Sequence, residues 1–204
     1  MQNREKKTAT ILFALILIVI TACQTETPVT EDPAQGRVAV LVAEGFHDGE
    51  AYIPVGYLLN QGYEITILGP ARGKVKAYNS EFTINIDKSV SEVSPDDFDA
   101  LVLPGGRGPA VLREDDNVID FVRAFWNTGK VTAAICHGPQ VLVTADVLKG
   151  LTSTGTGAIK EEIEQAGAVF VDSTVVVDGN LITSRNPQDL YNFSTSIVEA
   201  LQNQ

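Results

Sequence analysis

The chain has 204 residues, 44% of them hydrophobic, 20% charged and 7% aromatic, with 17 Gly and 9 Pro. These are globular proportions for about one domain, and they exclude the disordered, collagen-like and disulfide-scaffold classes. Lys and Arg number 15 against 26 Asp and Glu, a net charge of −11. That balance argues against a nucleic-acid partner, whose phosphates require clustered cations.

Arg4, Lys6 and Lys7 precede the uninterrupted apolar run Ile11 to Ile20. A spanning helix needs ~20 apolar residues and a signal-peptide core only ~7–15, so residues 1–22 read as an export signal. Its end, Ile20-Thr21-Ala22-Cys23, resembles the bacterial lipobox. The resemblance implies cleavage before Cys23, acylation of that thiol, and a lipoprotein anchored in the membrane on the periplasmic or extracellular face of the envelope. An uncleaved anchor helix and an ordinary signal peptide cut near Ala22 are the alternatives, and both still export the domain. Residues 23–36 are then the lipidated Cys23 and a polar tether containing Pro28 and Pro33, without apolar periodicity. The folded domain is expected over residues 37–204.

Within it, Val38 to Ala43 reads as a buried strand, Asp48 to Gln61 as a helix capped by Gly62, and Tyr63 to Leu68 as a second strand. Residues 74–87 form a small β excursion around Asn79-Ser80. Ala100 to Leu103 is a third buried strand, Asp116 to Asn127 a helix, and Val131 to Ile135 a fourth strand that runs into Cys136. Pro139 to Leu148 is helical, with Pro suited to the first turn. Thr174 to Thr183 is a hairpin across Asp178-Gly179, and Asp189 to Leu201 is the closing helix. Buried strands alternating with helices predict an α/β fold: a three-layer α/β/α sandwich of flavodoxin-like type with a mainly parallel sheet.

Ligands of such folds sit at the carboxyl ends of the strands, and three of those turns carry chemistry. In Ala133-Ala134-Ile135-Cys136-His137-Gly138-Pro139 a strand delivers a cysteine into a sharp turn before a helix, the layout of a nucleophile elbow. The helix N-terminus there predicts a lowered thiol pKa, and His137 is placed to move protons. A buried structural cysteine is the competing reading. In Leu103-Pro104-Gly105-Gly106-Arg107 paired glycines bring backbone amides close to a ligand. The amides of Gly106 and His137 would together form an oxyanion hole; a plain turn is the alternative. In Phe46-His47-Asp48-Gly49-Glu50, Glu50 falls in the first turn of a helix facing the same crevice. Beside a thiol and out of water its carboxyl should hold a proton to higher pH; simple helix-charge matching competes with that. Adjacent Cys and His at an elbow do not suit a tetrahedral metal site, so no metal or other cofactor is expected. Arg185 and Asp189 read as a structural ion pair.

These three turns, together with Val175 to Asn180 and Thr183 to Leu190, resemble PfpI-type intracellular proteases, from about residue 37 to the C-terminus. Their superfamily includes the parkinsonism-associated deglycase and cofactor-independent glyoxalases, and is related in fold to class I glutamine amidotransferases. The resemblance implies Cys136 as nucleophile, Glu50 as the carboxylate beside it, His137 as its neighbour, and a homo-oligomer, dimeric or hexameric. Two positions depart from the archaeal-protease pattern. An acid that reaches a neighbouring subunit's His is replaced by Ala110, and a tyrosine after the elbow helix by Thr156. Three functions follow. The first is cofactor-free glyoxalase or deglycase chemistry on small reactive carbonyls or on protein, in repair or stress response. The second is a cysteine peptidase or amidase, and the third a redox sensor or chaperone. The first needs only Cys136, Glu50 and the oxyanion site, and is preferred.

Overall fold

The computed structural model describes residues 34–204. The expected export signal, Cys23 and most of the expected tether lie outside the described residues.

In chain order the elements are β1 (Arg37–Leu41), α1 (Asp48–Asn60), β2 (Glu64–Gly69), β3 (Gly73–Lys76), β4 (Thr83–Ile86), β5 (Lys88–Ser89) and β6 (Ala100–Leu103). There follow α2 (Gly108–Leu112), α3 (Asp116–Trp126), β7 (Val131–Ile135), α4 (Pro139–Thr144), β8 (Thr152–Ser153) and α5 (Lys160–Gln165). The chain closes with β9 (Val169–Phe170), β10 (Val175–Asp178), β11 (Leu181–Ser184) and α6 (Leu190–Gln202). Seven strands make the central sheet in the order β10-β11-β7-β6-β1-β2-β5, and every pairing is parallel except β10 with β11.

Successive side chains of a strand point to opposite faces, so strands without polar residues bury both faces. Along β1, Val38 and Val40 pack with Ala51 and Leu58 of α1 and with Phe193 and Ile197 of α6. Ala39 and Leu41 pack on the opposite face with Val122 and Phe125 of α3, Leu142 of α4 and Ile163 of α5. This is the expected three-layer sandwich. The β1–α1–β2 crossover lies on one face and the β6–α3–β7 crossover on the other. The two diverge between β1 and β6, which leaves a crevice at the carboxyl ends of β1, β6 and β7.

The excursion at 74–87 is an antiparallel pair, β3 with β4, outside the main sheet. It is tied to the turn after β1 by Gly45 N–H to Lys76 O at 2.8 Å and Tyr78 N–H to Phe46 O at 3.1 Å. The third expected helix, Pro139 to Leu148, is shorter than its apolar pattern. It stops at Thr144 because Asp146 takes a left-handed conformation, φ 56°, although Val147 and Leu148 are still buried in the core. The pieces β8, α5 and β9 fill residues 152–170, where the sequence pattern predicts none. Each is too short for a periodicity to register.

Candidate active site

Cys136 leaves β7 with φ 61°, a left-handed conformation that costs a non-glycine residue roughly 1–3 kcal/mol. The surrounding backbone fixes it there. Cys136 N–H donates to Ser184 O at 3.0 Å, Thr156 N–H donates to Cys136 O at 3.0 Å, and Gly138 N–H reaches back to Ile135 O at 2.8 Å. A side chain at position 138 would run into the carbonyl oxygens of Leu103 and Ile135, so the turn needs glycine. The result is the elbow read from the sequence.

Glu50 enters from α1 and is fully buried. Its Oε2 accepts the Gly105 N–H at 2.8 Å, while Oε1 is buried without a hydrogen-bond partner. Gly105 lies at the centre of the cluster. A methyl group there would come within 2.6 Å of Glu50 Oε2 and 2.8 Å of both Cys136 Cβ and His137 N. Burial raises the Glu50 carboxyl to about 7, against the opposing pull of the Gly105 N–H and the thiol. This is the proton-holding carboxyl expected from the sequence.

The thiol departs from expectation. Burial, followed by the charge of Glu50, pushes Cys136 up to about 12, and the N–H groups of Gly106 and His137 pull in the other direction. A helix N-terminus alone would lower the thiol pKa. Yet α4 has six residues and starts three positions after the sulfur, too little to outweigh burial beside a carboxylate. Cys136 and Glu50 therefore titrate as a pair. The first proton leaves near neutrality, and loss of the second is opposed by the charge already present. The lone negative charge rests on oxygen or on sulfur according to where the remaining proton sits.

His137 Nδ1 lies 3.3 Å from Cys136 Sγ. Burial lowers its pKa, while the Glu162 carboxylate raises it, so the ring is mainly neutral at pH 7. The amides of Gly106 and His137 both favour charge on the sulfur. Neither donates to a backbone acceptor among the described residues. Cys136, His137, Glu50 and Gly106, read from three separate turns, thus converge on one point.

Other participants were not read from the sequence. A cavity of about 340 Å³ beside the elbow is lined by Tyr78, Gly106, Arg107, Ala110, His137 and Gln140. Tyr78 arrives on the β3–β4 excursion, its ring edge-on to His47 at 5.8 Å, with the Arg107 guanidinium 5.3 Å from its centroid. Glu162 is held by Arg113 at 2.5 Å and by Gln140 Nε2 at 2.8 Å. No signal in the chain links residues 78 or 162 to residue 136, because the contacts arise from tertiary packing. A larger apolar hollow of about 490 Å³ is lined by Asp48, Gly49, Tyr52, Ile53 and Phe82, and none of the elbow residues 133–139 borders it. Arg185 grips Asp189 at 2.9 Å and Asp172 at 2.8 Å, the structural role expected. Among the described residues no group of three or more His, Cys, Asp and Glu side chains forms a potential metal cluster.

Residues 36–200 match the DJ-1/PfpI family model. The chain belongs to the DJ-1/PfpI family. It is 41% identical to the deglycase TK1284 of Thermococcus kodakarensis over 166 residues, which cover 81% of this chain and 99% of that protein. It is 42% identical to protein/nucleic acid deglycase 2 of Escherichia coli, covering 81% of this chain and 97% of that one. Among solved structures, Drosophila melanogaster DJ-1beta superposes with a TM-score of 0.76 at 34% identity, over 82% of this chain and 91% of the other. The flavodoxin-like DJ-1/PfpI fold and a Cys-dependent enzyme therefore agree with the geometry at Cys136.

Proposed function

We propose that this protein is a cofactor-free, Cys136-dependent enzyme of deglycase or glyoxalase type, acting on α-oxoaldehydes or the adducts they form. The observation that carries the reading is the Cys136 sulfur set between two free amides and a buried carboxyl that titrates near neutrality. In this reading Sγ adds to the aldehyde carbon. A C–S bond forms, the C=O π pair moves to oxygen beside the Gly106 and His137 amides, and the thiol proton passes to Glu50 and on to that oxygen. Glu50 then takes the proton from the thiohemiacetal carbon and returns it to the adjacent carbonyl carbon, while the hydroxyl proton passes to the neighbouring oxygen, leaving the thioester of a hydroxy acid. Water hydrolyses the thioester, releasing the acid and the thiol. Every step uses groups of the chain and one water.

A peptidase reading draws on the 3.3 Å contact between Cys136 and His137, which suits protonation of a leaving amine. It lacks an orienting acid at Ala110, so it ranks second. Two further elements are part of the proposal. Acylation at Cys23 would tether the domain outside the cytoplasm, supported by the lipobox-like Ile20-Thr21-Ala22-Cys23 and by a family match that begins at residue 36. Self-association is supported by the exposed Tyr52, Ile53 and Phe82 around the apolar hollow. The test is turnover of methylglyoxal and of casein by the full-length protein beside Cys136→Ala and Glu50→Gln. Loss of methylglyoxal turnover in both variants supports the reading; full turnover by Cys136→Ala overturns it. Strong casein cleavage that depends on Cys136 promotes the peptidase.

A further inference from the structure

We propose that Arg107 makes the cavity beside Cys136 a receiver for α-oxoaldehydes that also carry a carboxylate, a substrate class narrower than α-oxoaldehydes in general. The inference rests on the reading of Cys136 as the attacking sulfur.

Among the described residues four arginines are already paired. Arg72, Arg113, Arg123 and Arg185 each hold a carboxylate within 2.9 Å. Arg107 holds none among the described residues, although acids outnumber bases in the chain by 26 to 15. The acids around the crevice are engaged elsewhere. Asp48 accepts from Asn79 Nδ2 at 2.7 Å and from Gly49 N–H at 2.6 Å, and lies 3.4 Å from His47 Nδ1. Glu44 accepts from Lys76 N–H at 2.9 Å. Glu50 takes the Gly105 N–H, and Glu162 is neutralised by Arg113 and held by Gln140.

Position supplies the second half. Arg107 lines the same cavity as His137 and Gly106, one residue past the amide that faces the sulfur. It rests against the Tyr78 ring, 5.3 Å from the centroid, an attraction that holds the guanidinium without consuming its N–H donors. A planar fork of free donors fits a carboxylate bidentately. A cavity of about 340 Å³ is at the small end for ligands, where roughly 300 Å³ is the floor. A short α-oxoaldehyde with a terminal carboxylate would place its aldehyde carbon at the sulfur and its carboxylate at Arg107.

The test compares two alkylating reagents of nearly equal size on the full-length protein, anionic iodoacetate and neutral iodoacetamide. Labelling is read on the Cys136 peptide by mass spectrometry, with Cys136→Ala as the blank. The iodoacetate-to-iodoacetamide rate ratio should fall about 10-fold in Arg107→Met and further in Arg107→Glu, with Arg107→Lys between. Added salt at ~1 M should pull the wild-type ratio toward that of Arg107→Met. In parallel, kcat/KM for 4,5-dioxopentanoate relative to methylglyoxal should fall by a similar factor in Arg107→Met. Ratios that stay within about twofold of wild type in both Arg107→Met and Arg107→Glu overturn the proposal. A shifted labelling ratio in a protein that does not turn over methylglyoxal keeps the anion site and overturns the oxoaldehyde chemistry. An unchanged ratio in a protein that does turn it over has the opposite meaning.

Discussion

Glu50→Gln separates the cost of the buried carboxyl from its use. The Glu50 side chain has no solvent exposure, and burial moves its carboxyl from the ordinary 4.5 to about 7. Between those values the folded protein binds the proton more tightly than the unfolded chain does. Stability therefore falls as pH rises through that window, and the loss is complete above about 7. At 1.36 kcal/mol for each pH unit by which a pKa is displaced, ionising Glu50 costs the fold about 3 kcal/mol. Glutamine keeps an oxygen for the Gly105 N–H and never ionises. The expected result is that unfolding free energy drops between pH 4.5 and 8 by about 3 kcal/mol more in the wild type than in Glu50→Gln. For a domain of this size that is roughly 6–12 °C in Tm. Denaturant melts of both proteins at several pH values measure it. The difference between the two curves cancels every other titrating group, together with any pH-independent packing penalty of the amide. Parallel curves, within about 1 kcal/mol across that range, would refute the account of a carboxyl held neutral by burial.

Further outcomes follow from the same site. Alkylation of Cys136 should rise through pH 7, where the pair first ionises, and in Glu50→Gln the rise should move above the ordinary thiol range because burial then acts on sulfur alone; iodoacetamide rates against pH decide it, and a wild-type midpoint near 9 would count against the shared proton. Gly105→Ala should lose most activity and roughly 1–3 kcal/mol of stability, since its methyl meets Glu50 Oε2, Cys136 Cβ and His137 N within 2.8 Å; a variant with wild-type turnover and melting would show that the cluster yields easily. Cys23→Ser should release the protein from membranes and abolish fatty-acid labelling, checked by fractionation after metabolic labelling; a variant that stays membrane-bound would point to an uncleaved anchor.

The parts of this molecule that were legible in the sequence are those whose physics is local. A strand buried on both faces is written as an apolar run, as in Ala100 to Leu103 and Val131 to Ile135, and the turn after it is written in glycines that the close approaches require. The convergence of Cys136, His137, Glu50 and Gly106 could be inferred because each follows or faces a strand end, and neighbouring parallel strands bring their ends together. What the sequence hid was non-local. Tyr78 and Arg107 meet across the crevice only because the β3–β4 excursion folds back onto the turn after β1. Glu162 reaches Arg113 and Gln140 from a helix of six residues. The thiol shows the limit most clearly. Its place at an elbow is local and was readable, but its acidity is set by how much water and how much charge the fold leaves around it. Burial, joined by a carboxylate eighty-six positions away in the chain that β1 and α1 deliver to the same point, reverses the direction that the helix N-terminus alone would impose. Motif geometry in this fold therefore predicts which atoms meet, while the proton inventory follows from burial and from partners recruited by the sheet order.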